Sequence, residues 1–276
     1  MSAAPPAAVT IHADQEHSGL RLVIFVALFV GFFLGFQLMV WLLSTLAPAA
    51  VQDYTTFLAC VGAIPLALLM IWALERWLKR VWHSGLSLVL DWQGITVNDR
   101  RQPPAGDEPG DAQRPTTQVS EGVKGPAITW AGNMSQLNWY FRLSGYPRGG
   151  RERRVSNKWL CLATELNQDG AKLNVYAFLS PERAAALIDD PRLAFRRLNP
   201  AEVYDSSMRS RFTPPTRPAI PNNLLHSKDG RHWLAERRRW EYGIELAPQD
   251  FITLVTYVQT HRRPDLAAEE PPLHPN

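Results

Sequence analysis

The sequence predicts an α+β membrane protein, in which a two-helix transmembrane hairpin precedes an antiparallel β-rich domain with a C-terminal helix. Residues 22–46 and residues 54–74 form two long runs without a charged side chain, and nearly all of their residues are apolar. After the second run, short segments alternate apolar and polar residues, which is typical of strands with one buried face. We therefore place the hairpin at residues 20–82 and the β-rich domain at residues 85–264.

The first run is long enough to cross a bilayer. At 1.5 Å per residue, residues 22–46 span a hydrocarbon core of about 30 Å with length to spare for tilt. A cleaved signal peptide has a shorter apolar stretch and is not followed directly by a second span. The connection between the runs is short and contains Pro48, so we expect two antiparallel transmembrane helices.

The charges beside the spans predict their orientation. Arg21 precedes the first span, and Arg76, Lys79 and Arg80 follow the second, whereas the connection carries Asp53 and no Lys or Arg. Because cytoplasmic flanks are enriched in Lys and Arg, both termini are expected in the cytoplasm. The sequence thus predicts a multi-pass membrane protein with both termini in the cytoplasm and with the three basic residues after the second span near anionic lipid.

Small residues in both spans favour close helix packing. Gly31 and Gly35 form a GxxxG pair, and Ala59 and Ala63 offer a similar small face on the second span. These residues pack either the two helices against each other or the hairpin against a second copy or a larger membrane assembly. Gln37 is a lone amide at membrane depth, and we expect it to hydrogen-bond across a helix contact. Neither span carries a deep charge, so an ion or proton pathway is not expected.

Three segments have the composition of disordered chain. Residues 1–19 are small, polar and proline-bearing, and predict a flexible N-terminal tail. Residues 100–125 are rich in Pro, Gly, Asp and Gln and predict a disordered loop. Residues 265–276 predict a disordered C-terminal tail.

Apolar alternation and turn residues predict the strands of the domain. In residues 86–98, two strands flank the turn Asp91–Gly94, where Gly94 is best able to take a positive φ. The sequence Asn167-Gln168-Asp169-Gly170 is the strongest hairpin signal of the chain. The other predicted strands are residues 127–130, 137–143, 155–166, 171–179 and 240–246.

Two helices are predicted in the domain. Ser180 and Pro181 are typical of a helix start, and this helix is expected to end at about Ile188. Prolines interrupt the pattern between residues 192 and 223, where no regular structure is expected. A C-terminal amphipathic helix begins at Pro248, and its apolar residues follow helical spacing at Phe251, Leu254, Val255 and Val258.

The hairpin and the strands that follow it carry a resemblance. The run LVLDWQGITV at residues 88–97, followed later by Ile128-Thr129-Trp130, resembles bacterial membrane-anchored pleckstrin-homology-like (PH-like) proteins of the YcxB type. The resemblance covers the hairpin, residues 86–179 and the final helix, and leaves residues 181–239 as an insertion. It implies a location in the bacterial inner (plasma) membrane and a small β-barrel or sandwich capped by a helix. It does not imply a catalytic residue.

Composition and motifs favour a protein without a local catalytic, cofactor or metal site. The chain has 29 Lys and Arg against 26 Asp and Glu, a balance unlike that of a nucleic-acid-binding arm. Its two cysteines, Cys60 and Cys161, cannot build a disulfide framework or a Cys-rich zinc site. No nucleotide-binding, zinc-protease or nucleophile motif occurs. We therefore expect no enzyme activity, no cofactor and no nucleic-acid partner.

Two basic clusters in the domain are candidate contacts for anionic lipid or an acidic partner. The alternative is solvated surface charge balanced by Glu152, Glu236 and Glu241. The clusters are Arg148, Arg151, Arg153 and Arg154, and then Arg237, Arg238 and Arg239.

The sequence predicts a non-catalytic, membrane-anchored scaffold or recruitment protein, or an accessory subunit of a larger membrane complex. Its expected partners are the lipid bilayer and a second protein or another copy of itself. Two alternatives remain open. One is a secretion-associated adaptor, or an enzyme whose site is assembled from residues distant in sequence. The other is a hairpin that functions by oligomerising at Gly31 and Gly35.

Overall fold

The chain folds into two units with separate cores. The structure, a computed structural model, describes residues 8–13, 17–46, 48, 52–100, 127–144, 146, 155–203 and 220–261. One unit is Asp14–Ser84, and the other combines Met1–Ala13 with Gly85–Asn276. The prediction of a mixed helix-and-sheet chain with two long apolar helices before the sheets is confirmed. The predicted disordered loop, apart from Arg100, and the predicted C-terminal tail lie outside the described residues.

The first unit is a pair of long helices, α1 (Ser18–Leu46) and α2 (Thr55–Val81). Both are long and apolar enough to cross a membrane. Helix α2 continues beyond its predicted end at residue 74 and includes the charged residues that follow. Lys79 there pairs with Glu75 one turn earlier at 2.8 Å.

A four-stranded antiparallel sheet begins the second unit. Its strands, in spatial order, are β1 (Val9–His12), β2 (Leu86–Leu90), β3 (Gly94–Asp99) and β4 (Ile128–Thr129). The prediction of a flexible tail over residues 1–19 is wrong at β1, which pairs with β2 through Ile11 opposite Leu88. Ile11 is buried in the core. A strand of four residues is too short to show alternation, so its partner strand decides its structure.

The turn between β2 and β3 is the predicted one, but Gly94 has a different role there. The Asp91 carboxylate accepts hydrogen bonds from the backbone N–H groups of Gln93, at 2.8 Å, and Gly94, at 2.9 Å. Among the described glycines, a positive φ occurs at Gly85 and Gly170 and not at Gly94. A Cβ at Gly94 would lie 1.8 Å from the carbonyl oxygen of Ile128. Glycine is needed here because β3 and β4 approach closely.

The second sheet has five strands in the order β8-β5-β6-β7-β9. These are β5 (Ser135–Arg142), β6 (Leu160–Gln168), β7 (Ala171–Leu179), β8 (Arg196–Arg197) and β9 (Ile244–Glu245). The predicted hairpin between β6 and β7 is confirmed, and positive φ angles at Asp169 and Gly170 form its tight turn. The expectation of a purely antiparallel domain is wrong, because β8 and β9 pair in parallel with β5 and β7.

Four α-helices of the second unit are described, and two of them were not predicted. They are α3 (Pro181–Ile188), α4 (Asn222–Leu225), α5 (Gly230–Tyr242) and α6 (Pro248–His261). Helices α3 and α6 match the prediction. The predicted strand at residues 240–246 is wrong in its first half, where α5 ends at Tyr242. The buried face of helix α5 contains the charged residues Glu236 and Arg239, so the sequence does not show the apolar spacing that predicts an amphipathic helix.

The second sheet lies between two apolar layers. On one face, Leu162 and Val175 share a core with the first sheet and with Leu254 of α6. On the other face, Trp139 and Phe178 pack with Trp233 of α5. Strands β6 and β7 are therefore buried on both faces, as their burial patterns show.

Candidate functional site

Gly31 and Gly35 lie at the contact between α1 and α2. A Cβ at Gly31 would lie 2.5 Å from the Met70 methyl carbon, and a Cβ at Gly35 would lie 3.3 Å from the Ala63 carbonyl oxygen. The facing residues on α2 are small and fully buried, at Ala59, Ala63 and Ala67. Both glycines therefore pack the two helices against each other, which leaves no room there for a second copy.

Gln37 lies outside the contact between α1 and α2. Its side chain is exposed on α1, and no hydrogen bond joins it to another side chain among the described residues. The contact between α1 and α2 therefore does not supply the hydrogen bond, and the expectation that Gln37 bonds across a helix contact stays a prediction. Helix geometry explains this position, because Gln37 lies two residues, or about 200°, beyond Gly35 and points away from the contact between α1 and α2.

The basic residues at the end of α2 lie at its surface. Arg76 and Arg80 are exposed, and the Arg76 guanidinium lies 5.5 Å from the centre of the Trp72 ring. Lys79 is half-buried and ion-paired with Glu75. Two of the three cations thus remain at the surface of this unit. The predicted cluster Arg148, Arg151, Arg153 and Arg154 lies outside the described residues.

The second predicted basic cluster, Arg237 to Arg239, is divided by the structure. Arg237 is half-exposed and lies 3.7 Å from Glu241. Arg238 donates two hydrogen bonds of 2.6 Å to Glu165, a buried residue of β6. Arg239 is buried, so its assignment as a lipid or partner contact is wrong. A helix turns 100° per residue, and three consecutive arginines therefore meet three different environments.

Arg239 is the centre of a buried polar network between α5 and the second sheet. Its guanidinium donates two hydrogen bonds of 2.8 Å to Glu236 and one of 2.9 Å to the Tyr146 hydroxyl. The indole N–H of Trp139 donates to Glu236 at 2.7 Å. The guanidinium also lies 4.7 Å from the centre of the Tyr176 ring. The charged groups are thus satisfied by one another rather than by solvent.

The electrostatics of this network keep Arg239 charged. Burial alone would lower the pKa of Arg239, but the Glu236 carboxylate raises that pKa well above its ordinary range. The pair lies within α5, and the hydrogen bond from Trp139 of β5 to Glu236 joins this buried pair to the sheet. The sequence predicts Glu236 at the surface and does not indicate this role, because no local pattern links it to Trp139, 97 residues earlier.

A small concavity of about 270 Å³ lies beside the start of α5. Its lining residues are Arg197, Leu198, Asn199, Glu202, Asp229 and Trp233. Arg196 donates two hydrogen bonds to Asp229, at 2.5 and 3.1 Å, and these bonds lower the pKa of that carboxyl. Burial lowers the pKa of the neighbouring His232. The concavity offers a paired carboxylate and a neutral imidazole beside it, and none of its six lining side chains is a hydroxyl, thiol or amine nucleophile.

Both cysteines lie on described elements of the structure. Cys161 is buried on β6, and Cys60 is exposed on α2. Within the described ranges, no three His, Cys, Asp or Glu side chains lie close enough together to hold a metal ion.

The chain matches no protein-family model, no curated protein and no solved structure. The resemblance to YcxB-type PH-like proteins is not tested by these comparisons and stays a prediction.

Proposed function

We propose that this protein is a membrane-anchored scaffold or recruitment protein, or an accessory subunit of a larger membrane complex. In this proposal the hairpin crosses the bacterial inner membrane twice and tethers the β-rich unit in the cytoplasm. The unit itself is non-catalytic and binds a protein partner. The observation that carries the proposal is the uneven distribution of exposed apolar surface between the two units.

Exposed large apolar side chains are concentrated on α1 and α2. Only 11% of the most apolar stretch of α1 and 17% of that of α2 is buried, whereas the core helix of a soluble protein is mostly buried. Outside the hairpin, the exposed large apolar side chains among the described residues are Val9, Trp92 and Leu234. A hairpin with this surface needs lipid or another apolar surface around it.

The pairing of β1 with β2 supports a hairpin whose two ends lie on the same side of the membrane. The Ala13 N–H donates to the Leu86 carbonyl oxygen at 3.0 Å, so the chain leaves and re-enters the β-rich unit at one point. The intervening segment must therefore cross a membrane an even number of times. The exposed Arg76 and Arg80 favour a cytoplasmic location for this point.

The two sheets and α6 support the PH-like interpretation of the domain. Both sheets contribute to one core, which α6 closes through Phe251 and Leu254. The parallel outer strands β8 and β9, and the layer formed by α5, are additions to the small barrel or sandwich that the YcxB-type resemblance implies.

Val9 and Trp92 are the proposed contact for a protein partner. Val9 is 36% exposed and Trp92 is 58% exposed. Val9 pairs with Leu90, two residues before Trp92, so both lie at the same end of the first sheet. An exposed tryptophan is a common anchor of protein interfaces.

Fractionation and topology reporters test the anchor. We expect the chain to resist extraction by salt and alkaline carbonate and to dissolve in detergent. A reporter that is active only in the cytoplasm should work after Asn276 and fail when inserted after Asp53. A chain found in the soluble fraction, or a C-terminal reporter accessible from outside intact cells, would refute the proposal.

Affinity capture from native membranes tests recruitment. The partner is identified by mass spectrometry of what accompanies the full-length chain, and its recovery is then compared between two variants. Trp92→Ser should reduce recovery, whereas Leu234→Ser, which removes an exposed apolar side chain from α5, should not. Equal recovery with both variants would refute the assignment of the contact to Val9 and Trp92.

A further inference from the structure

The exposed face of α1 carries a polar group at an unusual depth. Gln37 lies three residues from the centre of the uncharged run at residues 22–46, which is about 4.5 Å along the helix axis. Gly35, close to that centre, packs against Ala63, which is close to the centre of the run at residues 54–74. In a membrane-spanning hairpin the Gln37 amide is therefore near the middle of the bilayer.

An amide that faces hydrocarbon lacks the hydrogen bonds that water would give it. Gln37 is exposed, and no other described side chain bonds to it. It is also the only amide side chain between residues 22 and 46, and residues 54–74 contain none. The hairpin alone does not satisfy this group, so another membrane-embedded surface must.

Gln37 is part of a regularly spaced exposed ridge on α1. The ridge consists of Val30, Leu34, Gln37, Trp41 and Ser44, and all five are exposed. The intervals along the chain alternate between four and three residues, which is the heptad spacing of helices that pack in a left-handed crossing. The ridge lies on the side of α1 away from Gly31 and Gly35, which already contact α2.

We infer that a second copy of this chain packs against the α1 ridge, with the two Gln37 amides hydrogen-bonded to each other across a two-fold axis. The primary amide both donates and accepts, so two identical amides satisfy each other. Copies inserted with the same topology place Gln37 at the same depth, and their α1 helices run parallel. The inference rests on the membrane insertion that we propose above.

Cysteine cross-linking in native membranes tests the position of the interface. The full-length chain with Cys60→Ala and Cys161→Ala provides a background without thiols. Leu34→Cys, on the ridge, should give a disulfide-linked dimer of this chain. Phe29→Cys is the matched control, because Phe29 is similarly exposed but lies five residues away, which is about 140° around the helix. It should give little dimer.

Energy transfer between labelled copies in lipid vesicles tests the role of the amide. Gln37→Leu keeps the size of the side chain and removes its hydrogen bonds, and it should raise the dimer dissociation constant about tenfold. Phe32→Leu, away from the ridge, should leave the constant unchanged.

Three results would overturn the inference in distinguishable ways. A chain absent from the membrane fraction would overturn the membrane anchor as well. A membrane-embedded chain that gives no dimer through Leu34→Cys, or gives the same dimer through Phe29→Cys, would overturn only the self-association. A Leu34→Cys product with a different protein would show that another membrane protein occupies the ridge.

Discussion

Replacing Arg239 by Met would remove one partner of the buried ion pair and leave the Glu236 carboxylate without its cation. Both side chains are 2% exposed, so water cannot replace the lost hydrogen bonds. Breaking a buried pair in this way costs about 3–5 kcal/mol. A domain of this size is stable by about 5–15 kcal/mol, so this variant loses a large part of its stability.

Urea unfolding of the full-length chain in detergent micelles measures this loss. The fluorescence of Trp139 and Trp233, both buried beside the network, should change when α5 leaves the second sheet. The control on the same helix is Arg237→Met, because Arg237 is half-exposed and lies 3.7 Å from its partner. That change should cost less than about 1 kcal/mol.

A double variant separates the charge from the packing. Glu236→Gln combined with Arg239→Met removes both charges and keeps an oxygen that accepts from Trp139. Its loss of stability should be smaller than the sum of the two single losses, because neither charge is left buried alone. If Arg239→Met cost no more than Arg237→Met, or if the two single losses simply added, the network would not hold α5 on the sheet.

Three further predictions follow from single residues of the β-rich unit, each measured by urea unfolding of the full-length chain. Ile11→Ala should cost about 2–4 kcal/mol of the free energy of unfolding because Ile11 is buried, whereas Val9→Ala on the same strand should cost less than about 1 kcal/mol. If both variants lost less than about 1 kcal/mol, residues 9–12 would be a loose tail rather than a strand. Gly94→Ala should cost about 3 kcal/mol because the new methyl group would overlap the Ile128 carbonyl oxygen, and a neutral effect would contradict the close approach of β3 and β4. Burial lowers the pKa of His232 in the folded chain, so the stability that this residue contributes is present above its ordinary range, near pH 6.5, and is lost as the pH falls. His232→Gln should therefore flatten the loss of stability between about pH 7 and pH 5, and an unchanged profile would contradict the assignment.

The structure also changes the interpretation of the arginine-rich sequence of α5. The sequence contains three adjacent cations that look equivalent, yet one is half-exposed, one pairs with Glu165 and one is buried. Only Arg237 keeps the surface role that we expected of the cluster. Among the described residues, the exposed candidate contacts for lipid are thus Arg76, Arg80 and Arg237. Lys79 is paired with Glu75.

Local chemistry alone determined the long apolar helices, the hairpin between β6 and β7, and the helix that starts at Pro248. Each of these elements is recognised from residues that are close in sequence: the length of the uncharged runs, the Asp169–Gly170 turn and the helical spacing of apolar residues. The amino-acid sequence alone is therefore enough to predict them.

Tertiary structure decided which residues of equal local character lie inside. Ile11 lies in a strand because β2, which follows the hairpin in the sequence, pairs with β1. Glu236 and Arg239 are buried among partners distant in sequence, and one of these, Trp139, lies 97 residues before Glu236 and donates a hydrogen bond to it. Gln37 points outward because Gly31 and Gly35 fix the rotation of α1 against α2. In each case the free energy of burial depends on a partner distant in sequence, which no local pattern specifies.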